Sequence, residues 1–315
     1  MNNEIELYKH YLNITLEQYD LLEQLSILPD SKYKTMAVEH SMDVLGIPDK
    51  TISLEGFMKT AFEMIRQFFI KLFNGIKKMF GSKSSDLAKA TKASTDAHTK
   101  LTTKAFNMKR IVSTTEYKIT DDYSPLFNKQ HELRTAELAK TITDFGVTAR
   151  KIYDAIKKDV PILFTDLTPD DVDGSNIKNE LDKLVGTNPV TGAITSVTDR
   201  GHYKITKVKL RNDGVGEFTF KGDIVDTLVN DARNIKVIVD EVKKIDKMHN
   251  ELEDIHEKFT DGADKVEQTE LMKTNLNKLG WLIFDGSWLQ FHVFAYATGF
   301  IDLHATFMDE LTYND

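Results

Sequence analysis

Cysteine is absent from the 315-residue chain, which excludes disulfides, thiolate nucleophiles and zinc–thiolate sites. A positive surplus is absent as well. The net charge is −8, whereas a general nucleic-acid binder needs clustered lysine and arginine to neutralise phosphates, so any contact with DNA must be local. The opening residues, MNNEIELYKHYLNITLEQYD, carry Glu4, Glu6, Glu17 and Asp20 where a secretory signal needs a basic patch and an unbroken apolar run, and no export signal is expected. Walker loops, nucleophile elbows and H-E-x-x-H helices are missing too. The sequence gives no reason to expect an enzyme, a cofactor or a small-molecule substrate.

What is present suffices for a core. A hydrophobic content of 41% in a chain of this length can bury one large core or two modest ones. The most apolar run, Leu279 to Ile301, has the length to cross a bilayer, but Asp285, Gly286, Ser287, Gln290 and His292 interrupt it. A mid-membrane aspartate costs several kcal/mol. A buried helix, or two broken at Asp285-Gly286, is the better expectation, with Trp281, Phe284, Trp288, Phe291, Phe294, Tyr296, Phe300 and Phe307 serving core or oligomer packing.

Periodicity assigns the fold class: mainly α, a long-helix bundle with a small antiparallel β insertion near residues 190–222. Asn3 to Ile27 repeats Leu7, Tyr11, Ile14, Leu21 and Leu25 at helical spacing, and Pro29-Asp30 ends it. A short helix over Lys34–Leu45 follows, then a turn at Gly46–Lys50. Residues 84–110, rich in Ala, Thr and Lys, read as an exposed helix or a mobile linker with thin packing. From Ser124-Pro125 to Lys158, Leu133, Leu138, Ile142, Phe145, Ala149, Ile152 and Ile156 form one stripe, stopped by Pro161. AITSV, HYKITKVKL and EFTFK, separated by Asp199-Arg200-Gly201 and Asn212-Asp213-Gly214, read as three antiparallel strands. Asp223 to Phe259 is one long helix, with Ile238, Ile245, Leu252 and Phe259 every seven residues and Val242, Met248 and Ile255 in the same stripe. Leu271 to Leu311 is its hairpin partner. The resulting division is an acidic helical leader (1–55), a basic amphipathic helix (56–83), a helical region (84–188), the β insertion (189–222) and a long-helix C-terminal core (223–315).

One stretch stands out chemically. In residues 56–83, six basic side chains face a single acid, giving +5, whereas residues 1–55 carry ten acids against four lysines, giving −6. Phe57, Phe62, Ile65, Phe68, Phe69, Leu72, Phe73 and Ile76 lie on one broad face of a helix, and Lys59, Arg66, Lys71, Lys77 and Lys78 complete a basic amphiphile. Such a helix can dock on an anionic membrane, with phenylalanines in the acyl boundary and each basic group contributing on the order of 1 kcal/mol. It can equally pack inside a bundle.

Ser53-Leu54-Glu55-Gly56, followed directly by this Phe-, Ile- and Lys-rich helix that ends in Gly81-Ser82, resembles the N-terminal region of internal virion proteins of large tailed bacteriophages. The resemblance covers residues 30–85. It implies a leader removed by a prohead protease after the small-x-Glu signal Ser53-Leu54-Glu55, with Gly56 as the new N-terminus. It further implies a non-enzymatic protein packaged inside the capsid, within the host cell during assembly, and either structural or ejected with the genome. Its partners would be other virion proteins or further copies of itself, and an anionic membrane, ahead of packaged DNA. The alternative is a membrane-active, pore-forming or toxin-like effector that uses Phe57–Phe80 and Leu279–Ile301 as insertion elements.

Two patterns border on metal chemistry. PDDVDGSNIKNE (169–180) places Asp171, Asp173, Gly174 and Glu180 at EF-hand positions, but Pro169 stands where the first carboxylate is needed, so an Asp-rich turn capping the Ile177 helix is expected. Glu253 and His256 have the Glu-x-x-His spacing of carboxylate-bridged sites, which require a second such motif that the chain lacks. His249 and His256 are expected to continue the flank of Ile235 and Val242. No metal site is expected.

Overall fold

Seven α-helices carry the described part of the fold, in a computed structural model that describes residues 2–107, 116–162, 174–184, 194–197, 203–205, 210, 214–221, 224–263 and 270–313. They are α1 (Asn2–Ser26), α2 (Lys32–Val44), α3 (Leu54–Asn107), α4 (Thr135–Ile162), α5 (Ser175–Asp182), α6 (Ile224–Ala263) and α7 (Glu270–Tyr313). The protein is mainly helical with a small antiparallel β component, as the periodicity indicates. The chain forms two compact units. The first is Met1–Met79, Lys157–Ser175 and Glu253–Phe284, and the second is Phe80–Ile156, Asn176–Leu252 and Asp285–Asp315. Helices α3, α4, α6 and α7 contribute to both, so the units cut across consecutive blocks of sequence.

In the first unit, α1 buries Ile5, Leu12, Leu16, Tyr19, Leu22 and Leu25. Leu7 and Tyr11, expected in that stripe, are each 46% exposed. The inward face is rotated from the expected one because two neighbouring stripes of this helix are both apolar. Ser31 caps α2 by accepting from Lys34 N at 3.2 Å. Gly46, at φ +68°, follows its end in a conformation that glycine adopts without strain. Gly280 of α7 meets Phe69 of α3, and a Cβ there would lie 2.7–3.0 Å from the ring, so the two helices touch only because a side chain is missing.

In the second unit, the α4 stripe Leu138, Ile142, Phe145, Ala149, Ile152 and Ile156 is buried, as are Ile238, Val242, Ile245, Met248 and Leu252 of α6. Helix α7 is unbroken at Asp285-Gly286. Gly286 instead allows close approach, since a Cβ there would sit 3.0 Å from Ile152 Cγ2. Asp285 is 1% exposed and accepts from the Tyr203 backbone N–H at 2.6 Å, a charge-assisted bond that fixes a strand on the helix.

The strands depart from the expected three-stranded sheet. Strands β2 (Ile194–Val197) and β3 (Tyr203–Ile205) form an antiparallel pair with an irregularity between Ile194 and Ser196. Strand β4 (Phe218–Lys221) pairs instead with β1 (Glu116–Ile119), in register Glu116 to Lys221 and Ile119 to Phe218. EYKI was not legible as a strand because no hairpin turn joins it to its partner, which lies about a hundred residues further along the chain. The Asp199–Gly201 turn and Asn212-Asp213 lie outside the described residues, whereas Gly214 has φ +75°. The Tyr203 hydroxyl donates to Asp182, and burial together with that carboxylate pushes the phenol well above its ordinary range. Burial alone would raise the Asp182 carboxyl, but Lys178 and Tyr203 outweigh it and hold it below the usual value.

Candidate functional site

Helix α1 covers one side of the aromatic stretch of α3. Along α3, Phe57, Phe62, Ile65, Phe69, Leu72, Phe73 and Ile76 are buried, and Phe68 is half-buried. As an exposed docking face this set is therefore corrected: the intact chain consumes it in its own fold. Two groups of neighbours account for the burial. Helix α1 runs antiparallel to α3, with Tyr19 at Phe62 (6.3 Å between centroids) and Tyr11 stacked on Phe68 (6.1 Å). Lys71 Nζ lies 5.5 Å from the Tyr8 ring centre, and Ile5 packs at Gly75, 3.1 Å from where a Cβ would stand. On another side, Phe69 meets Phe259 and Trp281 edge-on, and Phe73 stacks on His256 at 4.1 Å.

The basic groups are on the surface. Lys59, Lys71, Lys77 and Lys78 are exposed, and Arg66 is held by Glu63 through bonds of 2.9 and 2.8 Å. That pair holds the Glu63 carboxyl below its ordinary range.

The leader joins α3 through exposed chain. Pro48 to Thr51 are exposed, as are Ser53 and Glu55, while Leu54 and Gly56 are half-buried. Ser53 caps α3: its Oγ accepts from Gly56 N at 3.2 Å, and its carbonyl accepts from Phe57 N at 2.9 Å. Glu55 lies in the first turn, where the helix dipole favours an acid. The Ser53-Leu54-Glu55 tripeptide thus coincides with a helix cap. Helix α3 does not end at Gly81-Ser82 but continues to Asn107 on a narrow stripe of Leu87, Ala90, Ser94 and Ala97.

A second constellation, in the second unit, was not legible in the sequence. His98 of α3, Asp231 of α6 and His304 of α7 bring one ligand atom each to within 4.8 Å of one another. His304 is fully buried, and Asp231 is 2% exposed. His304 Nε2 is hydrogen-bonded to Asp231 Oδ2, and Thr135 donates its hydroxyl to Oδ1 of the same carboxylate. Asn234 Nδ2 supports Thr135 Oγ1 at 3.4 Å. His98 Nδ1 meets the Ser94 carbonyl at 2.8 Å, which puts the proton on Nδ1 and the lone pair on Nε2, 4.0 Å from Asp231 Oδ2. Burial, the largest influence, pulls the His98 imidazole below the ordinary histidine range. His98 also lines a cavity of about 590 Å³ shared by Thr95, Thr99, Lys236 and Lys243.

The expected marginal sites fall out differently. Residues 169–173 of the EF-hand-like segment lie outside the described residues, and Glu180 pairs with Lys183 at 2.6 Å. His249 and His256 are buried and stacked on Phe80 (3.7 Å) and Phe73. Trp281, Phe284, Trp288, Phe291, Phe294, Phe300 and Phe307 are core residues, and Tyr296 is half-buried. Among the described residues no helix is long and apolar enough to cross a membrane. No protein-family model matches the chain, and neither a curated protein nor a solved structure does.

Proposed function

We propose that this chain is a non-enzymatic virion protein of a tailed phage, packaged inside the head, whose leader covers the aromatic face of α3 until it is cut after Glu55. One observation carries the reading. Helix α1 lies along the Phe62, Phe68, Lys71 and Gly75 line of α3, and an exposed junction connects the two.

Cutting there removes the net −6 segment from the net +5 stretch of residues 56–83 and uncovers the apolar line beside Lys71. The change is electrostatic and hydrophobic at once, and both parts favour an anionic membrane or an acidic face of the shell. Residues packed on α6 and α7, Phe69 and Phe73 among them, remain core after the cut and do not join the docking surface. Before the cut, the leader offers neighbours a different surface, on which Ile27, Tyr33 and Met36 are more than half exposed. The pore-forming alternative gains no support, because Leu279 to Ile301 is mostly core.

Mass spectrometry of purified particles tests the proposal. A peptide beginning at Gly56, with residues 1–55 depleted, is expected. A particle-borne chain beginning at Met1 or Asn2 would remove the processing step, and absence of the chain from particles would remove the reading.

A further inference from the structure

We propose that His98, Asp231 and His304 form a binding site for a divalent first-row transition ion, with zinc the best fit, and that the ion ties α3, α6 and α7 together. The argument rests on second-unit residues alone and is independent of the leader.

The donor set comes first. Two imidazoles and one carboxylate suit zinc and its neighbours, whereas calcium and magnesium require oxygen ligands. Bond lengths of about 2.0–2.1 Å at a tetrahedral ion separate ligand atoms by roughly 3.4 Å. The three donors lie within 4.8 Å of one another, with His98 Nε2 4.0 Å from Asp231 Oδ2, so adjustments on the order of 1 Å in side-chain position would close the site.

The supporting contacts are the second line. Metal-bound histidines characteristically give their other N–H to a carbonyl or carboxylate, and bound carboxylates are themselves hydrogen-bonded. His98 gives Nδ1–H to the Ser94 carbonyl, and Asp231 receives the Thr135 hydroxyl on the oxygen away from His304. The first leaves the His98 Nε2 lone pair facing Asp231 Oδ2, and the ion would take the place of the proton that His304 Nε2 shares with that oxygen. The third line is burial: Asp231 and His304 are almost wholly removed from water, where a carboxylate is costly unless a cation or good donors balance it. Three protein ligands leave a fourth position, which water from the cavity beside His98 can fill.

The test uses the full chain, stripped with chelator, dialysed against zinc and desalted before elemental analysis. One zinc per chain is expected, and cobalt in its place should give the visible bands of a tetrahedral ion. His98→Asn and Asp231→Asn should each weaken zinc retention by at least ~10- to 100-fold, and His10→Asn, at an exposed histidine, should leave it unchanged. Circular dichroism identifies any variant that fails to fold; His98, which reaches the cavity, is the safer of the two positions. Retention of no zinc by the parent protein overturns the proposal, as does equal retention by the folded His98 variant.

Discussion

Replacing Leu12 and Leu22 together by alanine should undock α1 while the rest of the chain stays folded. Both side chains are fully buried in the intact protein, and a buried leucine cut to alanine costs about 2–5 kcal/mol. Ten residues of helix separate them by about 15 Å, so the two losses add to roughly 4–10 kcal/mol. A single helix packed along one side of a core can open at a free energy below that of global unfolding, itself about 5–15 kcal/mol. The double substitution therefore exceeds what holds α1 and leaves the α7 core. Hydrogen exchange read by mass spectrometry should show α1 peptides exchanging freely, with peptides of residues 279–294 still protected. Flotation with anionic vesicles should show binding that the parent lacks. Protection of α1 up to the global transition would refute the reasoning, and so would simultaneous loss of protection in α1 and α7.

The remaining predictions concern packing and buried polar groups. Gly280→Ala should destabilise by about 1–3 kcal/mol, since the new methyl meets a buried Phe69 ring that has no room to yield, and this exceeds the gain in helix propensity. Gly81→Ala, exposed and with nothing near its Cβ, should stabilise by about 0.5–1 kcal/mol. Chemical denaturation of the two variants side by side checks both signs. Gln290→Leu should raise the thermal midpoint, because the buried amide has no hydrogen-bond partner among the described residues and its desolvation costs about 1–3 kcal/mol. Tyr203→Phe should cost about 1–2 kcal/mol. The depressed Asp182 carboxyl contributes stability above its unfolded value of 3.8 and loses it as pH falls through the folded one, so this variant should also flatten acid denaturation in that range.

Helix α6 was legible because one apolar stripe recurs every seven residues, and Ile238, Ile245, Leu252 and Phe259 are all buried. Helix α1 was legible as a helix but not in its orientation, since Leu7 and Tyr11 repeat as regularly as Leu12 and Leu16 and pattern alone does not say which stripe meets α3. The continuation of α3 past Gly81 was obscured by small residues. Ala90, Ser94 and Ala97 make a narrow inward stripe that an apolar count undervalues, although alanine favours helix strongly. The β1–β4 pairing joins segments on opposite sides of α4, which local turn chemistry does not encode. The basic amphiphile was visible, but its exposure was not, because an aromatic face at helical spacing looks the same on a membrane and against Tyr19. His98, Asp231 and His304 share no local spacing at all. His304 is 73 residues from its carboxylate partner, so only the packing of three helices brings the cluster together.

The account turns on whether α1 is a removable cover. A recognition sequence for a specific protease, inserted in the exposed Pro48–Thr51 turn, allows the junction to be cut in the purified protein, and flotation with anionic and neutral vesicles then reads the outcome directly. The account predicts that the cut chain floats with anionic vesicles and leaves the leader fragment behind, whereas uncut protein stays in solution. A leader that remains bound after cutting, with no vesicle association, would contradict it.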